Sequence, residues 1–385
     1  MVAAWVAAGL SAVGLVQGGV GAVLVRRFSH RPGAEPVAVA PATVLKPLHG
    51  DEPLLEEALA SVCRQNYPVW QLVFGVQDSG DSALPVVRRL QGRFPDCDIA
   101  AVVDGTAHGP NRKVANLINM LPAAKHGVLV IADADVHVAP DWLRRVVAAL
   151  ERPGVGLVTT VYTGLPACGP LPPPPSRKGR GRLGVSRLGA LQINQYFLPG
   201  ALLARAMGRQ DCLGATMALR RETLERIGGF AALVNHLADD NVLGRLVQGL
   251  GLRVALADTI PATTVAETSL GALWRHELRW ARTIRALEPV PFAASVLQYP
   301  LVWGLLVVLV SGGALWSLAW FVVAWGVRAV IARGIDRALG LANPTPLWLL
   351  PVRELMSVAV MVASYAGRRV DWRGHTMQAE GFDPR

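Results

Sequence analysis

The 385-residue sequence is poor in charge: 17% of it is Asp, Glu, Lys or Arg, while 52% is hydrophobic. Soluble domains carry roughly 25% charged residues, so an ordinary aqueous enzyme and a disordered chain are both excluded. Lysine is nearly absent. It stands only at Lys46, Lys113, Lys125 and Lys178, leaving 34 of the 38 basic residues as arginine. The Arg, Ala, Gly, Val and Leu bias is that of a GC-rich bacterial genome. Cysteine is scarce too. Cys63, Cys97, Cys168 and Cys212 lie far apart with no C-x-x-C pair, so neither a zinc site nor a disulfide framework is signalled and reduced thiols are expected. There is no internal repeat. No aromatic-interleaved basic run accompanies the net charge of +10, so a membrane surface is the expected partner and nucleic acid is not.

Long uncharged runs are present. Residues 2–25 carry no charge and are followed by Arg26-Arg27. About 20 apolar residues suffice to cross a bilayer, and a basic pair after the run, with none before it, indicates an uncleaved anchor (1–27) with its N-terminus outside. Residues 289–327 are a second uncharged run. As one helix it would be about 58 Å long, so two spans turning near Ser311-Gly312-Gly313 are expected, with Arg328, Arg333 and Arg337 back on the inner side. A third apolar stretch, about 347–366, is interrupted by Arg353-Glu354. It reads either as a full span or as a re-entrant segment that keeps the basic tail of 328–385 inside.

Between 28 and 288 the pattern changes to β-rich runs at Thr43–Leu45, Leu72–Val76, Ile99–Val103, Val128–Ile131 and Gly156–Tyr162. Helix-like stretches such as Glu52–Arg64 and Arg112–Leu121 alternate with them. Alternation of this kind predicts an α/β fold with a mostly parallel sheet, whose ligands bind beyond the carboxyl ends of the strands. Residues 166–184, rich in Pro, Gly and basic side chains, read as a flexible loop. The apolar stretch Leu188–Met207 reads either as an interfacial helix admitting lipid or as a core helix of the soluble domain.

Ile131-Ala132-Asp133-Ala134-Asp135 directly follows an apolar run. Two carboxylates spaced by one residue at a strand end can hold Mg²⁺ or Mn²⁺ together with phosphate oxygens, or can simply cap a turn. Asp78 ends another strand. Asp239-Asp240 opens a helix, where adjacent carboxylates either compensate the helix dipole or repel enough for one to act as a base. Arg275, Arg279 and Arg282 share one helical face beside Trp274 and Trp280. They are interfacial anchors or a guanidinium clamp on a diphosphate.

Several segments in one order carry a family resemblance: Val44-Leu45-Lys46-Pro47-Leu48-His49-Gly50, Gln65-Asn66-Tyr67-Pro68, Asp78, Pro110-Asn111-Arg112-Lys113-Val114-Ala115-Asn116-Leu117 and Asp133-x-Asp135. They are followed by Cys212-Leu213-Gly214-Ala215-Thr216-Met217, Gly228-Gly229-Phe230, Asp239-Asp240 and His276-x-x-Arg279-Trp280. The chain resembles the membrane-bound inverting glycosyltransferases related to ceramide glucosyltransferase, and within them the bacterial hopanoid-associated group.

The resemblance implies a GT-A fold flanked by transmembrane helices, at the bacterial inner membrane with the catalytic domain in the cytoplasm. It implies a UDP-sugar donor and a lipid acceptor: a hopanoid polyol with UDP-N-acetylglucosamine, or alternatively ceramide with UDP-glucose. A processive polysaccharide synthase is more distant, since the few spans would not form a polymer channel. By the same resemblance Asp78 contacts uridine with Lys46 and Pro47 nearby, and Lys113 and Asn116 line the donor pocket. Asp133 and Asp135 hold the metal, Asp240 is the base with Asp239 beside it, and Arg279 with Trp280 closes the site, assisted by Arg282. His276 stands where relatives carry Gln or Arg, and the loop 166–184 also departs from theirs.

Overall fold

The computed structural model describes residues 1–167, 177–367, 369–372 and 375–378. Two compact units emerge. One comprises residues 31–167 and 208–266, the other residues 1–30, 168–207 and 267–385. The stretch 28–288 is therefore not a single body, because 168–207 and 267–288 group with the apolar helices.

The first unit is an α/β layer. Its strands are β1 (Ala42–Pro47), β2 (Trp70–Val76), β3 (Ile99–Val103), β4 (Val128–Ala132), β5 (Val136–His137), β6 (Val155–Thr159), β7 (Thr163–Pro166), β8 (Thr216–Arg220), β9 (Arg253–Leu256) and β10 (Ala262–Val265). Seven of them form one sheet in the order β3-β2-β1-β4-β8-β6-β9. β3, β2, β1 and β4 run parallel, β8 runs antiparallel to both β4 and β6, and β9 is parallel to β6. The mostly parallel mixed sheet expected from the alternation is present. Every residue of β4 is buried, which is why Val128–Ile131 reads as an unbroken apolar run: a central strand covered on both faces has no polar side. Trp142, Leu59 and Leu90 pack into the same core.

A smaller sheet, β5-β10-β7, lies at the carboxyl end of β4. β10 pairs antiparallel with β5 and parallel with β7. Because β5 begins one residue after Asp135, this pairing fixes the Asp133–Asp135 loop from its far side.

The second unit is helical. Val2–Ser29 and Leu315–Ala338 are each long and apolar enough to cross a membrane, and Pro289–Gln298 with Pro300–Val310 forms a pair bent by 69°. The bend falls at Tyr299-Pro300, where proline lacks the amide hydrogen that would continue the helix. Gly312 and Gly313 turn the chain at positive φ. Exposed Val6, Val13, Val16 and Val20 on the first helix and Leu318, Val322 and Val323 on Leu315–Ala338 form rows that a bilayer covers.

Several expectations are corrected here. The helix that begins at Leu315 does not end at 327 but runs on to Ala338. Arg328 does not return to water: it is 2% exposed, its Nε lies 3.6 Å from Glu354 and it donates to the Gln195 carbonyl. Arg353 and Glu354, which interrupt the apolar sequence but lie within the unbroken Leu349–Ser364 helix, are both fully buried. Arg353 forks onto both oxygens of Glu277 at 2.7 Å.

Of the loop expected at 166–184, residues 168–176 and with them Cys168 lie outside the described residues, while Arg177–Gln192 is a helix. It continues through a π-helical turn, Ile193–Phe197, into Leu198–Ala206. Val185, Leu188, Leu191 and Tyr196 pack with Leu273, Tyr299 and Leu350. Leu188–Met207 is thus not part of the α/β core; its Leu188, Leu191 and Tyr196 belong to the core of the helical unit. Beyond Gly367, the strands Arg369–Trp372 and His375–Gln378 pair antiparallel, and the rest of the basic tail lies outside the described residues.

Candidate active site

The parallel strands β1, β2 and β4 end at one edge, so Pro47 closes β1 there while Asp78 and Asp133 follow the carboxyl ends of β2 and β4. Asp78 is exposed and folds into a tight turn, accepting from the Gly80 amide at 2.8 Å. Asp133 and Asp135 follow β4 directly. Thr263 of β10 donates its hydroxyl to the Asp135 carboxylate, and the Thr264 amide donates to the Asp135 carbonyl at 3.1 Å. Burial and the Asp133 charge raise the pKa of Asp135, with the Thr263 bond opposing them.

Lys113 comes from the neighbouring helix, Arg112–Met120, which Asn111 caps by accepting from the Val114 amide at 3.1 Å. An Asn cap satisfies an otherwise orphaned donor and fixes where the helix starts. Asn111 also donates to the His236 carbonyl at 2.8 Å, tying this cap to the segment that precedes Asp239. The Lys113 ammonium then reaches Asp133 at 2.7 Å and Asp239 at 3.6 Å.

Asp239 and Asp240 open the helix Asp239–Gly249. One Asp240 oxygen accepts from the Asn241 amide at 2.8 Å, and the other rests over Gly214, where an added Cβ would stand 3.1 Å away. Burial, then the charge of Asp239, push the Asp240 carboxyl up to about 6, with Lys113 restraining the rise. A carboxylate tuned near neutrality is suited to take a proton at physiological pH.

The structure thus brings Lys113, Asp133, Asp239 and Asp240 into one cluster and anchors Asp135 beside it. Two expected donor-pocket residues do other work. Lys46 is fully buried, and its ammonium donates to the carbonyls of Asp133, Ala134 and Val136 at 2.8, 3.4 and 3.2 Å. It holds the Asp133–Asp135 loop from beneath, with its ammonium directed to that loop's carbonyls. Burial lowers its pKa to about 8 against the pull of Asp135 and Asp133. Asn116 is 3% exposed and donates to the Gly75 carbonyl at 2.8 Å, bracing β2.

His276, Arg279, Trp280 and Arg282 lie on Leu270–Leu287 of the helical unit. His276 Nδ1 bonds to Glu267, and the ring meets Trp280 edge-on at 4.5 Å. Although burial opposes ionisation of Glu267, the bond and charge of His276 hold its carboxyl below the ordinary range. Arg282 donates to the Arg369 carbonyl at 2.6 Å, which ties it to the last strand pair.

Thr263, Glu267 and Tyr162 were not singled out from sequence. The Tyr162 hydroxyl is kept neutral by burial and by the charges of Asp240, Asp133 and Asp135. The signal for Tyr162 was available: β6 runs in the same direction as β4, and Tyr162 lies just past its carboxyl end.

Among the described residues no group of three or more His, Cys, Asp or Glu side chains gathers for a metal. Mg²⁺ and Mn²⁺ need no such cage, since one or two carboxylates suffice when phosphate oxygens and water complete the shell. The ammonium seated on Asp133 is itself a cation in the place a metal would take. The all-oxygen donor set fits a hard divalent ion.

Residues 6–381 match the family described as glycosyl transferase family 21. The chain belongs to that family. Among its curated relatives are a ceramide glucosyltransferase of Komagataella phaffii, 33% identical over 135 residues (34% of this chain, 26% of that protein), and ceramide glucosyltransferase 3 of Caenorhabditis elegans, 21% identical over 270 residues (70% and 56%). The chain spans from about a quarter to just over half the length of these relatives. Among solved structures, a mannosyltransferase of Pyrobaculum calidifontis in complex with GDP-Man and Mn²⁺ is similar, with 21% identity, 94% of this chain and 99% of that one covered, and a TM-score of 0.51. That likeness establishes the GT-A fold for this family member.

Proposed function

We propose that the protein transfers a hexose or N-acetylhexosamine from a UDP-sugar to a membrane-lipid hydroxyl, with inversion at the anomeric carbon. The observation that carries this reading is Asp240, a carboxylate pushed up to about 6 beside a lysine-neutralised D-x-D cluster.

A lipid hydroxyl is a weak nucleophile. Asp240 removes its proton as the oxygen attacks the anomeric carbon, and attack opposite the leaving group inverts that centre, so no glycosyl-enzyme forms. Asp78 is assigned to the uridine and Lys113 to the diphosphate oxygens. Asp133 and Asp135 would hold Mg²⁺ or Mn²⁺, which supplies charge neutralisation at the departing diphosphate when bound. Lys46 keeps the loop carrying both carboxylates in place. Arg279 and Trp280 are assigned to closing over donor and acceptor on the family motif, with His276 in the place of Gln or Arg.

Two acceptors are in view. The curated relatives favour ceramide with UDP-glucose, while the wording of His236–Gly244 and His276–Arg285 favours a hopanoid polyol with UDP-N-acetylglucosamine. On the positive-inside rule the α/β unit faces the cytoplasm of a bacterial inner membrane.

The test uses membranes bearing the wild type or Asp240→Asn, each given Mn²⁺ or Mg²⁺, one acceptor and one labelled donor in separate tubes. Label entering the organic phase only with the wild type supports the reading, and the productive tube names donor and lipid. Label in polymer, or none in lipid under any pairing, overturns the acceptor class.

A further inference from the structure

Lys113 is fixed at both ends of its side chain. Its backbone sits in the first turn of a helix whose start Asn111 sets, and its ammonium lies 2.7 Å from Asp133 and 3.6 Å from Asp239, with 16% of the side chain exposed. The charges of Asp133 and Asp239 hold the ammonium in this buried place against the cost of its desolvation. It also answers a difficulty of the cluster, since Asp133, Asp239 and Asp240 share one small region and repel one another.

A divalent ion needs the same carboxylate. Mg²⁺ or Mn²⁺ binds oxygen at about 2.0–2.2 Å, so an ion on Asp133 would meet a positive charge already hydrogen-bonded there. A carboxylate has oxygens enough for both, but two cations crowded on Asp133 repel each other until a new anion takes one of them. The nearby acids cannot serve as that anion for free, because Asp239 already shares the ammonium. A diphosphate can: it brings oxygens that ligate the ion and accept from the ammonium together.

We propose that Lys113 is a resident counter-ion occupying the divalent cation's place on Asp133, so that the metal enters together with a nucleoside diphosphate, whose oxygens take over the ammonium as Asp133 passes to the metal. The identity of the diphosphate rests on the donor reading above; the exchange itself does not require transfer. It makes metal loading conditional on donor, and leaves Asp133 paired with a side chain of the protein itself when no donor is bound.

The experiment measures Mn²⁺ binding to the full chain in detergent micelles, from the electron paramagnetic resonance signal of the free aqua ion, with and without UDP. Wild type should bind Mn²⁺ at least tenfold more tightly with UDP present. Lys113→Met should bind Mn²⁺ without UDP at least tenfold more tightly than wild type, and UDP should then add less. Placing Lys113→Met on Asp133→Asn should abolish the gain, which separates competition at Asp133 from a general loosening. If the methionine variant does not fold, Lys113→Gln answers the same question.

Unchanged Mn²⁺ affinity of the folded Lys113 variant without nucleotide would overturn the proposal. Equal wild-type affinity with and without UDP would do the same. Failure of lipid labelling with this Mn²⁺ pattern intact would strike the acceptor reading and leave the exchange standing.

Discussion

At the scale of single residues, Asp240 carries a test of sign. Its carboxyl is pushed up to about 6 in the folded protein against an ordinary value near 3.8. A raised carboxyl pKa means that the folded state binds its proton more tightly than the unfolded chain does. Ionising it costs stability as pH rises from about 4 through 6, and the full cost persists above that window. Asp240→Asn should therefore unfold at a higher temperature than wild type at pH 8 and at nearly the same temperature at pH 4, as followed by differential scanning fluorimetry. The same group sets the acid limb of activity. kcat/KM for lipid labelling should fall below pH ~6 in the wild type, and Asp240→Asn should lose about 10²–10⁴-fold of kcat at pH 8 while keeping UDP affinity.

What a sequence discloses at this scale is chemical type and spacing, not depth. Asp133-x-Asp135 and Asp239-Asp240 were legible as separate candidate carboxylates, at a strand end and a helix start, and only the family resemblance joined them. The roles of Lys46 and Asn116 were not, since nothing local reveals that one is 0% and the other 3% exposed. Thr263 stands 128 residues from the carboxylate it anchors, a separation no local pattern encodes.

At the scale of elements, the helix Arg112–Met120 delivers Lys113 only if it starts at Asn111. Asn111→Ala removes both the cap and the bond to the His236 carbonyl. It should cost about 0.5–2 kcal/mol of stability, read by chemical denaturation, and should weaken UDP binding besides. In the helical unit, Arg353 and Glu277 form a buried two-pronged pair between Leu349–Ser364 and Leu270–Leu287. Arg353→Met leaves Glu277 without its partner and should cost roughly 3–5 kcal/mol. Adding Glu277→Gln should restore most of that, as measured by thermal unfolding in detergent.

Elements differed in how clearly their sequences announced them. β1, β2 and β4 stood out because burial on both faces makes continuous apolar runs. Arg177–Gln192 did not. Its glycines each cost about 1 kcal/mol in a helix, and it is helical in spite of them through the packing of Val185, Leu188 and Leu191.

At the scale of the whole molecule, positive-inside topology predicts one accessible side. A cysteine placed at exposed Arg88, with Cys97 replaced by serine, should resist an impermeant maleimide in intact cells and react once the inner membrane is opened. Labelling in intact cells would reverse the assigned orientation. The broad division into an α/β layer and apolar helices was readable from charge-free runs against alternation. The interleaving of the two units was not, because the apolar stretch Leu188–Met207 reads equally as a core helix of the α/β domain.

That interleaving bears on how the protein is made. One strand of the sheet, β8, lies between β4 and β6 yet is translated after both, on the far side of residues 168–207. A ribosome adding about 5–20 residues per second needs several seconds to pass from residue 167 to the end of β8 at 220. Throughout that interval β4 and β6 present unpaired backbone edges, the kind of surface that invites pairing with another nascent chain. The half-built sheet is therefore where chaperones would engage this polypeptide, and a synonymous recoding that slowed elongation between codons 167 and 216 would lower the yield of folded protein without altering a single side chain.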